Sequence, residues 1–200
     1  MRDYGLAATA GKIVTSIFSP LYSSRRYLIY RRDLGNLTTN PAPRHALIFK
    51  VVQPHDAGYI RQIEAMEEWL LGKVGCKLTA GGMCMVALDN DMVKGFNIVG
   101  FSGFFIPAIG YHRNLRKGEC FSEQITVHPD YRNKGLGADL RFRVFEELGK
   151  RGYRRLYGTT DISNNPNLAL SKKVGLHVIA RLEYRCRFGK KTFRIARVRP

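Results

Sequence analysis

Residues 125–138 read Ile125-Thr126-Val127-His128-Pro129-Asp130-Tyr131-Arg132-Asn133-Lys134-Gly135-Leu136-Gly137-Ala138. A strand-like segment, Glu119–Val127, ends inside this stretch, and Pro129 and Asp130 turn the chain. Arg132-x-x-Gly135-x-Gly137 then leads into a helix in which Leu136, Leu140, Val144 and Leu148 recur every four residues, stopped by Gly149 and Gly152. The first turn of a helix has N–H groups with no acceptor one turn earlier and carries a partial positive charge. Glycines let an anion approach such amides closely. Arg132 and Lys134 add charge. Spacing alone leaves two readings open, a phosphate cradle or a tight turn that holds nothing. No Walker-type loop is present, and a dinucleotide fingerprint would lack its third glycine, with Asp161 a weak substitute for its acidic partner.

Working outward, the pattern alternates between strands and helices. Ala46–Val52 reads as a short strand, and Asp56 can cap a helix with apolar positions at Tyr59, Ile63, Met66 and Leu70. Met83–Leu88 is a strand, Asp89-Asn90-Asp91 a turn and not a metal site, and Val93–Phe105 one or two hairpin-paired strands. Beyond the central helix come a strand over Arg155–Asp161, a helix over Asn164–Gly175 with Pro166 in its first turn, and a hairpin of His177–Phe188 with Thr192–Val198. The hairpin puts Val178, Ala180, Leu182, Tyr184, Cys186 and Phe188 on a core face and Arg181, Glu183, Arg185 and Arg187 on the other. Trp69, beside Leu70 and Leu71, is expected to pack inside. The fold class is mixed α/β (α+β), with antiparallel strands early and late around β-α-β units. A soft boundary at Asn36–Arg44 separates an N-terminal arm, residues 1–45, from one domain over residues 46–200. The arm carries an amphipathic pattern (Leu6, Ile13, Ile17, Phe18) and then the basic run Arg25–Arg32, expected to pack on the domain as an accessory segment or to dock on a membrane or partner.

The chain has 200 residues, 44% of them apolar and 24% charged, which excludes a disordered or fibrous chain. Its four cysteines show no C-x-x-C spacing, which excludes a zinc ribbon and argues against a disulfide scaffold. The net charge is +17, and it is lopsided: residues 1–100 hold 12 basic and 8 acidic side chains, residues 101–200 hold 21 and 8. Such a field draws phosphorylated cofactors, nucleic acid, acidic proteins or anionic lipid. Tyr4–Tyr22 is a poor secretory peptide, and the charge-free run Gly95–Tyr111 is shorter than the roughly 20 apolar residues of a spanning helix. A cytoplasmic protein is the expectation.

The run Val127-His-Pro-Asp-Tyr-Arg-Asn-Lys-Gly-Leu-Gly137 resembles the coenzyme motif of the GNAT superfamily of N-acetyltransferases, [QR]-x-x-G-x-[GA]. A second signature of that superfamily, an Asn followed by a helix ending in Leu-Tyr-x-Lys-x-Gly-Phe, is similar to Asn164 with Leu170-Ser171-Lys172-Lys173-Val174-Gly175-Leu176. The resemblance runs from Ala46 to Val198. It implies a mostly antiparallel central sheet flanked by helices, with the arm as an N-terminal extension. It implies acetyl-coenzyme A as co-substrate and no metal. Ile125 and Val127 would offer backbone groups to the pantetheine arm. The amides from Asn133 through Lys134, Gly135, Leu136 and Gly137 to Ala138 would cradle the pyrophosphate, with Arg132 nearby. Asn164 would bond the pantetheine. One position departs from the family: Ser171 stands where a Tyr often protonates the departing thiolate, and a serine is a far weaker acid than a phenol. Either water serves, or Tyr22, Tyr111 or Tyr157 reaches in, or activity is reduced.

The attacking amine must lose a proton, which calls for a base. Strict alternation puts Glu123 on a face with Phe121, Ile125 and Val127, where burial would suit a general base; Glu119 and His128 are weaker candidates, His128 belonging to the turn. Orientation alone supplies much of the rate in such a transfer. The resulting expectation is an N-acyltransferase acting by direct attack of a primary amine, on a small molecule or a protein, in a ternary complex. The charge disfavours polycationic acceptors. Two alternatives stand beside it: transfer from an acidic acyl-carrier protein, and a non-enzymatic nucleic-acid-binding module, which charge alone supports. A second copy of the chain is a further possible partner.

Overall fold

The computed structural model describes residues 22–35 and 46–198. The amphipathic pattern at Leu6–Phe18 lies outside the described residues. Among those described, the chain runs β1 (Tyr22–Asp33), β2 (Ile48–Val52), α1 (Ala57–Met66), α2 (Val74–Thr79), β3 (Met83–Asp89), β4 (Met92–Gly100), β5 (Gly103–Ile106), β6 (Tyr111–Asn114), β7 (Glu119–Val127), α3 (Leu136–Lys150), β8 (Arg155–Asp161), α4 (Asn165–Lys173), β9 (His177–Arg187) and β10 (Lys190–Arg197). Eight strands form one sheet in the order β10-β9-β1-β8-β7-β4-β3-β2, and β5 pairs with β6 beside it. Within the large sheet β7 and β8 run parallel and the other neighbours run antiparallel.

The two-residue period of a strand sorts side chains to opposite layers. Met83, Met85 and Ala87 of β3 pack with Leu136, Leu140, Val144, Phe145 and Leu148 of α3. Cys84, Val86 and Leu88 point the other way, against Ile63 of α1 and Val74 and Leu78 of α2. A third cluster joins Tyr27, Ile29, Tyr157, Leu182 and Tyr184 to Phe104 and Ile106 of β5. The sheet is thus covered by α3 on one face, and by α1, α2 and the β5–β6 hairpin on the other. No helix among the described residues is long and apolar enough to cross a membrane.

Four sequence expectations change here. Tyr22–Asp33, placed in the arm, is a central strand: it pairs with β8 from Tyr27↔Asp161 to Asp33↔Arg155 and with β9 from Tyr22↔Arg187 to Arg31↔His177. Its four arginines disguise a strand whose Tyr27 and Ile29 are buried in the cluster with β5 and whose Tyr30 is buried in the α3 core. A boundary at residue 45 therefore does not separate this strand from the sheet. Trp69 is 42% exposed, with Lys73 Nζ 5.8 Å from its ring, while Leu70 takes the core position. Phe188 is 76% exposed because it turns the hairpin at φ +49° and leaves the strand. Asp56 precedes α1, but its carboxylate accepts from the Gln53 N–H (2.8 Å) and Lys50 Nζ (3.2 Å) and not from the helix.

Candidate active site

β7 and β8 pair only as far as Ser122↔Gly158. Beyond that point they splay. Each diverging segment is held from outside, β7 by β4 from Gly95↔Val127 onward and β8 by β1 through Ile29↔Thr159, Leu28↔Thr160 and Tyr27↔Asp161. The V-shaped opening carries a cavity of about 760 Å³. Residues 122–127 form one wall, Thr159–Asp161 the other, the 131–138 segment and Asn164–Lys173 the mouth, and Arg141 and Glu67 reach it from α3 and from the end of α1. Size, concavity and convergent polar groups mark this opening as the candidate active site.

The mouth is built as the sequence suggests. Gly135 caps α3 at φ +100° and ψ −9°, in the left-handed region that a Cβ disfavours. Asn133 is also left-handed, at φ +60°. Arg132 Nε donates to the Val127 carbonyl (3.1 Å), tying the loop to the strand end. The Ala138 and Asp139 N–H groups already donate to the Gly135 carbonyl (2.9 and 3.2 Å), so an anion at this cap would have to take amides ahead of them. Gly137 serves packing: a Cβ there would sit 3.3 Å from Leu170 Cδ2. Leu136 is fully buried, so only its backbone can face a ligand, and Lys134 is an exposed side chain that does not line the cavity. Asn164 lies on the cavity wall, and its Oδ1 accepts from the Asn167 N–H (3.2 Å) at the start of α4. That leaves its amide hydrogens to offer a ligand.

Glu123 is on the wall, but for a reason strict alternation hides. β4 pairs Ile98 with Gln124 and Val99 with Ser122, so Glu123 is the extra residue of a β-bulge. The bulge resets the parity. Phe121 stays in the cluster under β5, whereas Ile125 and Val127 pack with the α3 core. The expected apolar face shared by Glu123, Ile125 and Val127 is therefore not formed. The Glu123 carboxylate instead lies over Gly100, where any Cβ would collide with it, and forms an ion pair with Lys77 of α2. Beside it, Glu67 Oε1 accepts from Thr126 Oγ1 (2.7 Å) and Gln124 Nε2 (3.4 Å). Glu67 was not legible as a site residue: it lies just beyond a helix with no motif around it.

The other acid–base candidates lie elsewhere. Ser171 is 2% exposed and off the cavity wall. Tyr22 is exposed, Tyr111 packs against Phe104 and Phe193, and Tyr157 donates to Glu119 Oε1 (3.0 Å); none of the three lines the cavity. Tyr131 does line it, with its hydroxyl donating to Asp89, a bond that holds the phenol above its ordinary value. Glu119 is buried at the start of β7. Burial pushes its carboxyl up, but bonds from the Arg116 N–H and the Tyr157 hydroxyl, with Arg113 and Arg116 nearby, bring the net shift below the ordinary value. His128 caps the turn, its Nδ1 accepting from the Asp130 N–H (3.4 Å). The Cys84 and Cys120 thiols are pushed up to about 12 by burial, which suits packing and not nucleophilic work. Among the described residues no three His, Cys, Asp or Glu side chains gather as metal ligands would.

At the closed end of the V stands Arg141, 5% exposed, with its guanidinium pushed down to about 10 by burial. Its Nη1 donates to Asn97 Oδ1 (3.3 Å) and Ser122 Oγ (2.5 Å), and Asn97 Nδ2 donates to Ser122 Oγ (2.8 Å) and the Gln124 carbonyl (2.7 Å). A sequence signal for it exists: Arg141 occupies a position in the apolar stripe that Leu140, Val144, Phe145 and Leu148 define.

A sequence profile described as the acetyltransferase (GNAT) family matches residues 48–176. No curated protein matches the sequence. Among solved structures, a GCN5-related N-acetyltransferase from Sphaerobacter thermophilus superposes with TM-score 0.56 at 17% identity, covering 98% of this chain and 58% of that one. An aminoglycoside acetyltransferase from an uncultured soil metagenomic sample, solved with sisomicin, gives TM-score 0.51 at 11% identity over 64% of this chain and 87% of that one. The aminoglycoside N-acetyltransferase AAC(6')-Iy in complex with CoA gives 0.52 at 16% identity over 65% and 91%. At these identities the likeness is one of fold.

Proposed function

The chain belongs to the GNAT family of acetyltransferases, and from that premise we propose that it transfers an acyl group from acyl-coenzyme A to a primary amine inside the β7–β8 opening. The observation that carries this reading is the splay itself. It presents an unpaired strand edge over 123–127 whose mouth is a left-handed glycine cap at the start of a fifteen-residue helix. Peptide-like groups of a pantetheine arm can bond such an edge, and a diphosphate suits such a cap. The backbone of Ile125 and Val127, the loop amides and the Asn164 amide hydrogens would hold the coenzyme, which supplies the acyl thioester.

Acceptor chemistry falls on the face of the 122–127 wall that α1 and α2 approach. Glu67 and Glu123 put two carboxylates into the cleft of a chain whose net charge is +17, so this wall draws an ammonium while the surface repels polycations. A small molecule with one amine, or an amine of a protein, fits best. The incoming ammonium replaces Lys77 as the partner of Glu123 and gives that carboxylate one proton. The amine nitrogen then bonds the carbonyl carbon as the carbon–sulfur bond breaks. Its second proton reaches the sulfur through water, since Ser171 is off the wall, and Glu123 returns the first to solvent. The acyl-carrier-protein alternative draws on the exposed Arg181, Arg185, Arg187, Lys190, Lys191, Arg194 and Arg197 of the terminal hairpin; it predicts faster transfer from acylated carrier protein than from acyl-coenzyme A.

The test is thermal unfolding with coenzyme A or acetyl-coenzyme A. Ligand at about 100 times its dissociation constant adds roughly 2.7 kcal/mol, which for a chain of this size raises Tm by about 5–10 °C. No shift with either compound would overturn the reading.

A further inference from the structure

Among the described residues Arg141 is a buried cation without a counter-ion. Its bonded partners are two neutral groups, Asn97 Oδ1 and Ser122 Oγ, and its Nε has no partner although it is buried. Among the described residues no carboxylate forms an ion pair with it. The cavity carboxylates are engaged elsewhere: Glu123 with Lys77, Glu67 with Thr126, and Asp161 with the Ser163 N–H (2.9 Å) and hydroxyl (2.7 Å). A charge withdrawn from water without an opposite charge is strongly unfavourable unless a ligand completes it. Ser122 adds to the same polarity. Its oxygen accepts from both Arg141 and Asn97, so its own hydrogen is one more donor at this spot. Guanidinium and hydroxyl together form a donor set that fits a carboxylate.

The location identifies which molecule brings that carboxylate. Arg141 bonds Ser122, the last residue of β7 to pair with β8, so it stands where the opening closes. The glycine cap of α3 stands at the opposite end, beyond Val127. The five strand residues between them span about 16 Å at 3.3 Å each. Resting on the coenzyme reading above, an arm anchored by its phosphates at the cap points its thioester toward the closed end. The wall of Glu67, Gln124 and Thr126, by contrast, belongs to the α1 side. We infer that Arg141 receives a carboxylate at the far end of the acyl group, so that the donor is a dicarboxylic acyl thioester of the malonyl or succinyl class. The transfer is otherwise unchanged: the carbon–nitrogen bond forms, the carbon–sulfur bond breaks, and the product amide carries a free carboxylate where the substrate carried an ammonium.

Calorimetric titration of the full chain with coenzyme A, butyryl-, malonyl- and succinyl-coenzyme A, with no acceptor present, tests this. Malonyl- or succinyl-coenzyme A should bind about tenfold or more tightly than butyryl-coenzyme A, which matches succinyl in length without the charge. Arg141→Met should bring that ratio to about one, and Arg141→Lys, a point charge without the fork, should keep part of it. Affinities for butyryl and both dicarboxylic compounds within about threefold of each other in the unaltered chain would overturn the inference while leaving coenzyme binding intact. A preference that survives Arg141→Met would overturn it too. Failure of all four compounds to bind would overturn the coenzyme reading itself. Because the ratio in the unaltered chain decides the matter, a variant that does not fold leaves the test standing.

Discussion

Gly135 and Glu123 show two ways in which one residue shapes the candidate site, and Glu119 shows how one shapes stability. At φ +100° Gly135 holds a conformation that costs an L side chain roughly 1–2 kcal/mol, so Gly135→Ala should lower Tm by a few degrees and weaken coenzyme binding more than Gly58→Ala, a control with open space around it. Glu123→Gln keeps the shape of the bulge and removes the proton acceptor; thiol release in an acyl-transfer assay should fall about 100-fold in kcat, with KM for the coenzyme changed little. Glu119 is a matter of stability. Its folded carboxyl titrates below its ordinary value, so the stabilisation is present at neutral pH and is lost as pH falls below the ordinary carboxylate range. Tm measured from pH 7 down to about 3 should drop less steeply for Glu119→Gln than for the unaltered chain. At this scale the sequence was informative where a residue type has a local reason to be there, as with glycine at a left-handed cap. It was uninformative for Glu67, Lys77 and Asn97, whose importance comes from partners far away in the chain.

Elements were legible where their period was clean. Glu119–Val127 and Arg155–Asp161 have the bounds that the sequence indicates, and the α3 stripe of Leu136, Leu140, Val144 and Leu148 is buried along its length. The β7 bulge was not legible, since one inserted residue alters no composition, yet it decides which way Glu123 points. β1 was hidden by charge: its arginines gave it the look of a surface arm, although Arg32 lays its guanidinium over the buried Phe145 ring. The consequence is testable. Without residues 1–45, β8 and β9 lose their shared neighbour and Tyr27, Ile29 and Tyr30 leave two core clusters. The chain shortened to residues 46–200 should therefore show no cooperative thermal transition and no coenzyme binding. Ile29→Ala in the full chain should cost about 2–5 kcal/mol by urea unfolding.

Across the whole molecule, charge and topology carry the remaining predictions. With +17 on the chain and a coenzyme bearing several phosphate charges, binding should weaken several-fold as salt rises from about 50 to about 500 mM, where the screening length shrinks from well above 10 Å toward 4 Å. The exposed edge strand β10, with Lys190, Lys191, Arg194 and Arg197 around Phe193 and Ile195, uses the same charge to discourage edge-to-edge association. The overall fold class was readable because strand and helix patterns alternate in a recognisable order; the position of the first strand was not, since local pattern says nothing about a neighbour that lies more than a hundred residues away. That placement also governs how the protein is made. A ribosome delivers Tyr22–Asp33 before β8 and β9, the strands on either side of it, exist. β1 must wait, unpaired, until β8 and β9 have been synthesised, so the β8 wall of the candidate cleft gains its brace only then, and refolding from denaturant should run on the slow, millisecond-to-second side of the range for domains rich in distant contacts.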